Sequence, residues 1–132
     1  MITLSQYFQA KPHDADQEMA ATHLLRRVND LLIELNHIPP SCPNTGTQIS
    51  GSKGGSGDGG FRLKTSTTGS SRSSHKDAMG IDIFDPENYL DDLITDTILE
   101  KHGLYREAPI ATSRWCHLTT RMPHSGRRTF LP

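Results

Sequence analysis

The chain has 132 residues, a formal net charge of −1 and 33% hydrophobic residues. This length suffices for one domain with a modest core. The near-neutral charge gives no electrostatic argument for nucleic acid or an anionic membrane surface as a partner.

The first predicted element is an amphipathic helix near the N-terminus, which Asp14 or Asp16 can cap. The apolar residues of this segment recur at helical spacing and are Leu24, Val28, Leu31, Leu32 and Leu35. The pattern predicts one helix over about 15–36, which ends at the prolines that follow.

Residues 51–60 are rich in glycine and serine. This composition is typical of a flexible linker, but glycine also lets the backbone come close to a ligand, and both interpretations stay open. A phosphate-binding loop is not indicated, because the Gly-Lys-Ser/Thr ending is missing. Short extended pieces are predicted on either side, at 48–50 and 61–63.

In the second half of the chain, Ile81-Asp82-Ile83-Phe84 has the composition of a short buried strand. A helix should begin after the capping residue Asp85 and end at Gly103. The apolar face of this helix would comprise Tyr89, Leu90, Leu93, Ile94 and Ile98. A loop over 104–112, a strand over 114–119 and a turn-like tail follow. Helices that bracket a few short strands predict an α+β fold with a small central antiparallel sheet and flanking helices.

Asp82 is a carboxylate between two isoleucines, and burying it is costly unless it is paired. A metal ion is one such partner. His75 precedes Asp82 by seven residues, and His117 lies in a second short apolar run, Trp115-Cys116-His117-Leu118. Two imidazoles and one carboxylate are a usual ligand set for zinc that keeps a fourth position open for water. These residues predict a zinc site on the sheet, within a core segment at 73–119.

With these residues in place, the sequence resembles the zinc peptidases that include D-Ala-D-Ala carboxypeptidases, vancomycin-resistance D,D-dipeptidases and bacteriophage L-alanyl-D-glutamate endolysins. Their signature is Ser-x-His-x6-Asp followed by a strand-borne histidine, represented here by Ser73, His75, Asp82 and His117. Small phage-type members also carry segments similar to Arg27-Val28-Asn29 and to the ending at 125–132. The resemblance implies a single zinc peptidase-like domain over 1–132 in which Zn²⁺ is held by His75, Asp82 and His117.

The resemblance also implies a substrate-binding arginine ahead of the Ser-x-His. Ser50-Gly51-Ser52-Lys53 matches its usual setting, but a lysine cannot form a bidentate fork on a carboxylate. We therefore favour Arg62, with Lys53 as the alternative. Glu107 corresponds to the glutamate that phage-type members carry as catalytic carboxylate, and Asp77 is the fallback for that role.

Two further residues are expected around the metal: Ser73 would orient a ligand or the arginine, and Trp115 would form a wall of the substrate groove. Three positions depart from the family pattern, one of them Ala78, where the wider family often has glycine. Arg114 stands where many members have Glu or Asp, and Trp115 stands where others have the first histidine of a His-x-His pair.

The function implied by the resemblance is a zinc metallopeptidase that hydrolyses an amide bond in the peptide stem of bacterial peptidoglycan, as a phage-type lysis or wall-degrading enzyme. The alternative, favoured by the departures, is a non-catalytic zinc-stabilised binding or virion structural module. Residues 1–6 lack the features of a signal peptide, and no apolar run has transmembrane length. We expect synthesis in the cytoplasm, action on the wall after release or within a virion, and a monomer. A pairing of Cys42 with Cys116 stays open.

Overall fold

The computed structural model describes residues 1–36 and 58–132 of the chain. Helices flank one small sheet, which confirms the predicted α+β class. The helices are α1 (Leu4–Phe8), α2 (Ala15–Glu34), α3 (Tyr89–Leu93) and α4 (Asp96–His102). The strands are β1 (Gly80–Phe84), β2 (Tyr105–Glu107), β3 (Trp115–Thr119) and β4 (Thr129–Phe130). The predicted strand at 48–50, Lys53 and Cys42 lie outside the described residues.

Helix α2 confirms the predicted N-terminal helix and begins where Asp14 caps it. The Asp14 carboxylate accepts a hydrogen bond from the Gln17 N–H at 2.8 Å, and the Gln17 side chain accepts one from the Asp14 N–H at 2.9 Å. This reciprocal pair satisfies two N–H groups that a helix start leaves without partners. The preceding helix α1 is not among the predicted elements, because five residues are too few for a helical period to emerge.

The prediction of one continuous helix after Asp85 is wrong. Asp85 does bind the first turn, since its carboxylate accepts from the N–H groups of Tyr89 and Leu90 at 3.0 and 2.9 Å. Ile94 then adopts an extended backbone, and Thr95 caps a new helix by accepting from the Ile98 N–H at 3.2 Å. The apolar face of the predicted helix is accordingly split, and Tyr89 is 62% exposed.

The sheet has the order β1-β3-β2-β4 and is mixed, so the prediction of a purely antiparallel sheet is corrected. Strand β3 pairs antiparallel with β1 and β2, while β2 and β4 run parallel. Strands β2 and β4 lie in stretches that the sequence predicts as a loop and a turn-like tail. Both strands are too short to show an alternating pattern, and the segment 61–63 forms no strand.

The pairing of β1 with β3 separates an apolar face from a polar face. Ile81 and Ile83 lie opposite Leu118 and Cys116, and all four are buried in the hydrophobic core. Burial raises the pKa of the Cys116 thiol to about 12, so this thiol stays protonated. The alternating residues of both strands point to the other face, where the polar side chains gather. Within the described parts of the chain, no helix has the length and apolar character that crossing a bilayer requires.

Candidate metal centre

Asp82 and His117 meet because their strands place them directly opposite each other. They are register partners in the β1–β3 ladder, and such partners project from the same face of a sheet. The His117 Nδ1 lies 2.9 Å from the Asp82 Oδ1. Both residues are buried, with 8% and 3% of their surface exposed. The sheet register alone therefore brings two of the three predicted ligands together.

His75 reaches the same carboxylate from a 3₁₀ turn, Ser74–Asp77, that precedes β1. Ser73 caps this turn, because its hydroxyl oxygen accepts a hydrogen bond from the His75 N–H at 3.3 Å. The His75 Nε2 lies 3.3 Å from the Asp82 Oδ1, and the His75 Nδ1 lies 2.8 Å from the Gly60 carbonyl oxygen. All three predicted ligands thus converge, with one ligand atom of each within 4.8 Å of the others.

Two of the three spacings between these atoms are close to those expected for ligands of one tetrahedral metal ion. Ligand atoms about 2.0–2.1 Å from zinc lie roughly 3.3 Å from one another in a tetrahedron. The two nitrogens lie 2.9 and 3.3 Å from the Asp82 Oδ1. The donor set, two imidazoles and one carboxylate, is also one that zinc prefers.

The protonation states provide an independent argument for a cation. A carbonyl oxygen only accepts, so the His75 Nδ1 must donate to Gly60 and a neutral ring presents a lone pair at Nε2. Burial lowers the pKa of His75, which favours the neutral ring. Burial alone would raise the pKa of Asp82, but attraction to His75 and hydrogen bonds from both histidines lower it overall. Either a proton on the His75 Nε2 or a metal ion therefore lies between this nitrogen and the ionised carboxylate, and each of them is a cation.

Arg62 is bound to the metal-site carboxylate itself. Its Nη2 donates to the Asp82 Oδ2 at 3.2 Å, its Nε donates to the Asp58 carbonyl at 2.8 Å, and its Nη1 lies 3.4 Å from the Ser73 Oγ. Only 6% of Arg62 is exposed, although the residue lines the cleft. These contacts fix the orientation of Asp82, so Arg62 supports a candidate ligand; its predicted contact with substrate stays a prediction.

Four consecutive backbone carbonyl groups at the end of the Gly-rich stretch accept hydrogen bonds from the site and from the N-terminal segment. The oxygens of Asp58, Gly59, Gly60 and Phe61 accept from Arg62 Nε (2.8 Å), Asp82 N (2.7 Å), His75 Nδ1 (2.8 Å) and Lys11 Nζ (2.8 Å), respectively. We call this run the carbonyl cradle. The described part of the Gly-rich stretch therefore contacts the candidate ligands through its backbone, and the N-terminal segment anchors it through Lys11.

Three residues that sequence reasoning did not select also shape the site. The Ser74 Oγ lies 3.3 Å from the His117 Nε2, so the ring can donate there and keep Nδ1 for a metal. A Cβ at Gly80 would lie 2.2 Å from the Ser74 Oγ and 3.1 Å from the His117 ring, so any larger residue would displace these side chains. The Tyr7 hydroxyl donates to the Gly80 carbonyl at 2.9 Å. The sequence feature that could have identified Gly80 is its position at the start of the strand, in Gly-Ile-Asp-Ile.

Glu107 lies on the same face of the sheet as the ligands. The β2–β3 register pairs Tyr105 with Thr119, and the period of two places Glu107 on the face of His117. Both residues line an open cleft of about 1470 Å³, together with Trp115 and Ser73. Within residues 1–36 and 58–132, the Glu107 carboxylate makes no hydrogen bond or ion pair. Burial raises its pKa, as expected for a carboxylate that acts in proton transfer.

The fallback carboxylate, Asp77, is differently placed. Its side chain is half exposed and accepts a hydrogen bond from Arg121 at 2.9 Å. Arg121 also donates to the Arg72 carbonyl. Asp77 therefore belongs to a surface ion pair at the cleft wall, whereas Glu107 faces the cleft unpaired among the described residues.

No protein-family model, curated protein or solved structure was found to match this chain.

Proposed function

We propose that this chain is a zinc-dependent peptidase that hydrolyses an amide bond in the peptide stem of bacterial peptidoglycan. The observation that carries the proposal is the buried His75, Asp82 and His117 group, which lines an open cleft beside the Glu107 carboxylate, a group without an ion pair among the described residues. The resemblance of the Ser-x-His-x6-Asp pattern to the wall-cutting zinc peptidases supports the substrate class. A role after release from the producing cell, or within a virion, belongs to the same proposal.

Zinc held by three protein ligands is a Lewis acid that lowers the pKa of water to about 7 and polarises a carbonyl group. Glu107 takes the proton of the attacking water on a carboxylate oxygen and passes it to the leaving nitrogen. Its raised pKa suits both transfers, because a group that gains and then loses a proton works best near the ambient pH. Arg62 orients Asp82 through the hydrogen bond from its Nη2 to the Asp82 Oδ2.

The surroundings of the candidate ligands favour a catalytic metal centre over a metal site that only stabilises the fold. A metal-stabilised structural module needs the ligands but needs neither an open cleft nor an unpaired carboxylate beside them. Both features are present here. Trp115 lines the same cleft and supplies an apolar surface for a peptide.

A serine hydrolase is a second candidate, because Ser74, His117 and Asp82 also form a line of hydrogen bonds. The Ser74 Oγ lies 3.3 Å from the His117 Nε2, and the His117 Nδ1 lies 2.9 Å from the Asp82 Oδ1. This is the order of contacts in a Ser-His-Asp triad. His75 on the same carboxylate oxygen has no place in such a triad, and Ser74 is only 6% exposed, so the metal proposal accounts for more of the site.

The test is mass spectrometry of peptidoglycan fragments after incubation with the purified protein. We expect stem peptides cut at one amide bond in the presence of zinc, with no cutting after chelation and recovery when zinc is restored. A serine-directed fluorophosphonate should leave the rate unchanged. Cutting that survives chelation but is abolished by the fluorophosphonate would move the assignment to Ser74. Intact fragments under all conditions would contradict both activities.

A further inference from the structure

Lys76 is a buried cation in the wall of the cleft. It directly follows His75 on the 3₁₀ turn, and only 6% of its surface is exposed. Its side chain lines the cleft and its Nζ donates to the Ser66 carbonyl oxygen at 2.9 Å. An ammonium group has three N–H donors, so this contact uses one of them.

Lys76 is buried yet has no carboxylate partner among the described residues, whereas Lys64 and Arg72, which line the same cleft without an ion pair there, are exposed. Other cations do have such partners. The paired cations are Lys11 with Asp58, Arg62 with Asp82, Lys101 with Glu34, and Arg121 with Asp77. Lysine is almost never buried without a partner, because removing an ammonium from water is costly. An anion that enters the cleft would offset this cost.

We propose that Lys76 forms a carboxylate-binding subsite, in which its ammonium group binds a carboxylate of the peptide substrate. The inference rests on the proposed function, since it takes a peptide as the occupant of the cleft. Arg62 is less suited to this task because its guanidinium already holds Asp82. Lys64 lines the same cleft but is exposed, so water solvates its charge. Because Lys76 and His75 line the same cleft, a carboxylate bound at Lys76 fixes the peptide relative to the metal centre.

The experiment compares stem peptides in which each carboxylate is converted in turn to the carboxamide, using the zinc-loaded full chain. The wild type should bind one of these amides about ten- to 100-fold more weakly than the free acid, as expected for a lost hydrogen bond to a charged group. Lys76→Met should remove this discrimination by weakening binding of the acid alone. The matched control, Lys64→Met, removes a charge from the same cleft and should keep the discrimination.

Three outcomes overturn the subsite. They are equal binding of all peptides by the wild type, discrimination that persists in Lys76→Met, and equal weakening of acid and amide binding by Lys76→Met. The last result would mean that Lys76 has a structural role and links the 3₁₀ turn to the loop that contains Ser66.

Two further measurements keep the test decisive. If Lys76→Met does not fold, the side-chain ammonium signals of the five lysines are followed by NMR in the wild type. The Lys76 signal, assigned with Lys76→Arg, should move with the acid and stay unmoved with the amide; an unmoved signal with both overturns the subsite. Calorimetry measures peptide binding and therefore tests the subsite whether or not a peptide is cut. Binding without cutting would overturn only the proposed function.

Discussion

The two halves of the candidate metal centre are built in different ways. The strand half consists of Asp82 and His117, which are register partners in adjacent strands. The loop half consists of His75 and Arg62, which lie outside the sheet and bind the carbonyl cradle at residues 58–61. The strand half is fixed by the same ladder that holds the core. The loop half is fixed by hydrogen bonds to a backbone segment without regular structure and by the contact of Arg62 with Asp82.

This difference indicates where the site depends on the rest of the chain. The cradle is attached to the N-terminal segment, because Lys11 Nζ donates to the Phe61 carbonyl and the Phe61 N–H donates to the Tyr7 carbonyl at 3.0 Å. Residues far from the metal ligands in sequence therefore position His75. We expect substitutions in the N-terminal segment to act on metal binding, and substitutions in β1 to act on folding first.

Glu107 belongs to neither half, so replacing it separates the reaction from metal binding. Glu107→Gln should lower kcat by about 10²–10⁴-fold, because the amide cannot transfer the proton. Zinc content and melting temperature should stay at the wild-type level, since Glu107 makes no hydrogen bond to either half among the described residues. Stem-peptide kinetics provide the measurement, with Asp77→Asn as the control. If kcat is near normal in Glu107→Gln but strongly lowered in Asp77→Asn, the proton-transfer role would be assigned to Asp77.

The sequence allowed both strands of the strand half to be predicted, but not their pairing or register. Ile81 and Ile83 around Asp82 indicate a buried strand, and the apolar run around His117 indicates another, so a shared polar face follows from the period of two. His75 was predicted from the two-histidine, one-carboxylate donor set, and the family resemblance implied the same ligand. Its position depends on the Gly60 carbonyl, and no side-chain pattern encodes a backbone contact between segments 15 residues apart. The short strands β2 and β4 were missed for the same reason, since tertiary pairing forms them.

Arg62→Lys tests whether the arginine acts on Asp82 or on substrate. A lysine cannot reproduce the contacts to Asp82 and the Asp58 carbonyl together, so zinc affinity should fall by about 10–100-fold, as for other groups that orient a metal ligand. Competition with a chromophoric chelator measures this affinity. Arg121→Lys is the control, because Arg121 lines the cleft but pairs with Asp77. Unchanged zinc affinity with a strongly raised KM would make Arg62 a substrate clamp.

Gly80→Ala tests the strand half. The added methyl group would overlap the Ser74 Oγ and crowd His117, so we expect a loss of about 1–3 kcal/mol in the free energy of unfolding. Urea denaturation of the metal-free protein measures it. The double variant with Ser74→Ala should lose less than the sum of the single changes, because it removes the nearest atom. Additive losses would show that Ser74 does not cause the strain.

Lys11→Met tests the attachment of the loop half to the N-terminal segment. The change removes a hydrogen bond to the cradle and leaves every candidate ligand in place, so zinc affinity should fall by at most about tenfold. The chelator competition used for Arg62 is sensitive enough to detect this change. Lys64→Met serves as the control for loss of a lysine charge. Equal zinc affinity in Lys11→Met and the wild type would mean that the cradle holds its position without Lys11.

Zinc analysis of the purified protein tests most directly whether both halves hold one metal ion. The wild type and His23→Ala, which changes an exposed histidine of α2, should each contain one zinc ion per chain. His75→Ala removes the ligand of the loop half and His117→Ala removes that of the strand half, and each should lose nearly all bound zinc. Full zinc content in both variants would contradict the metal centre described by His75, Asp82 and His117.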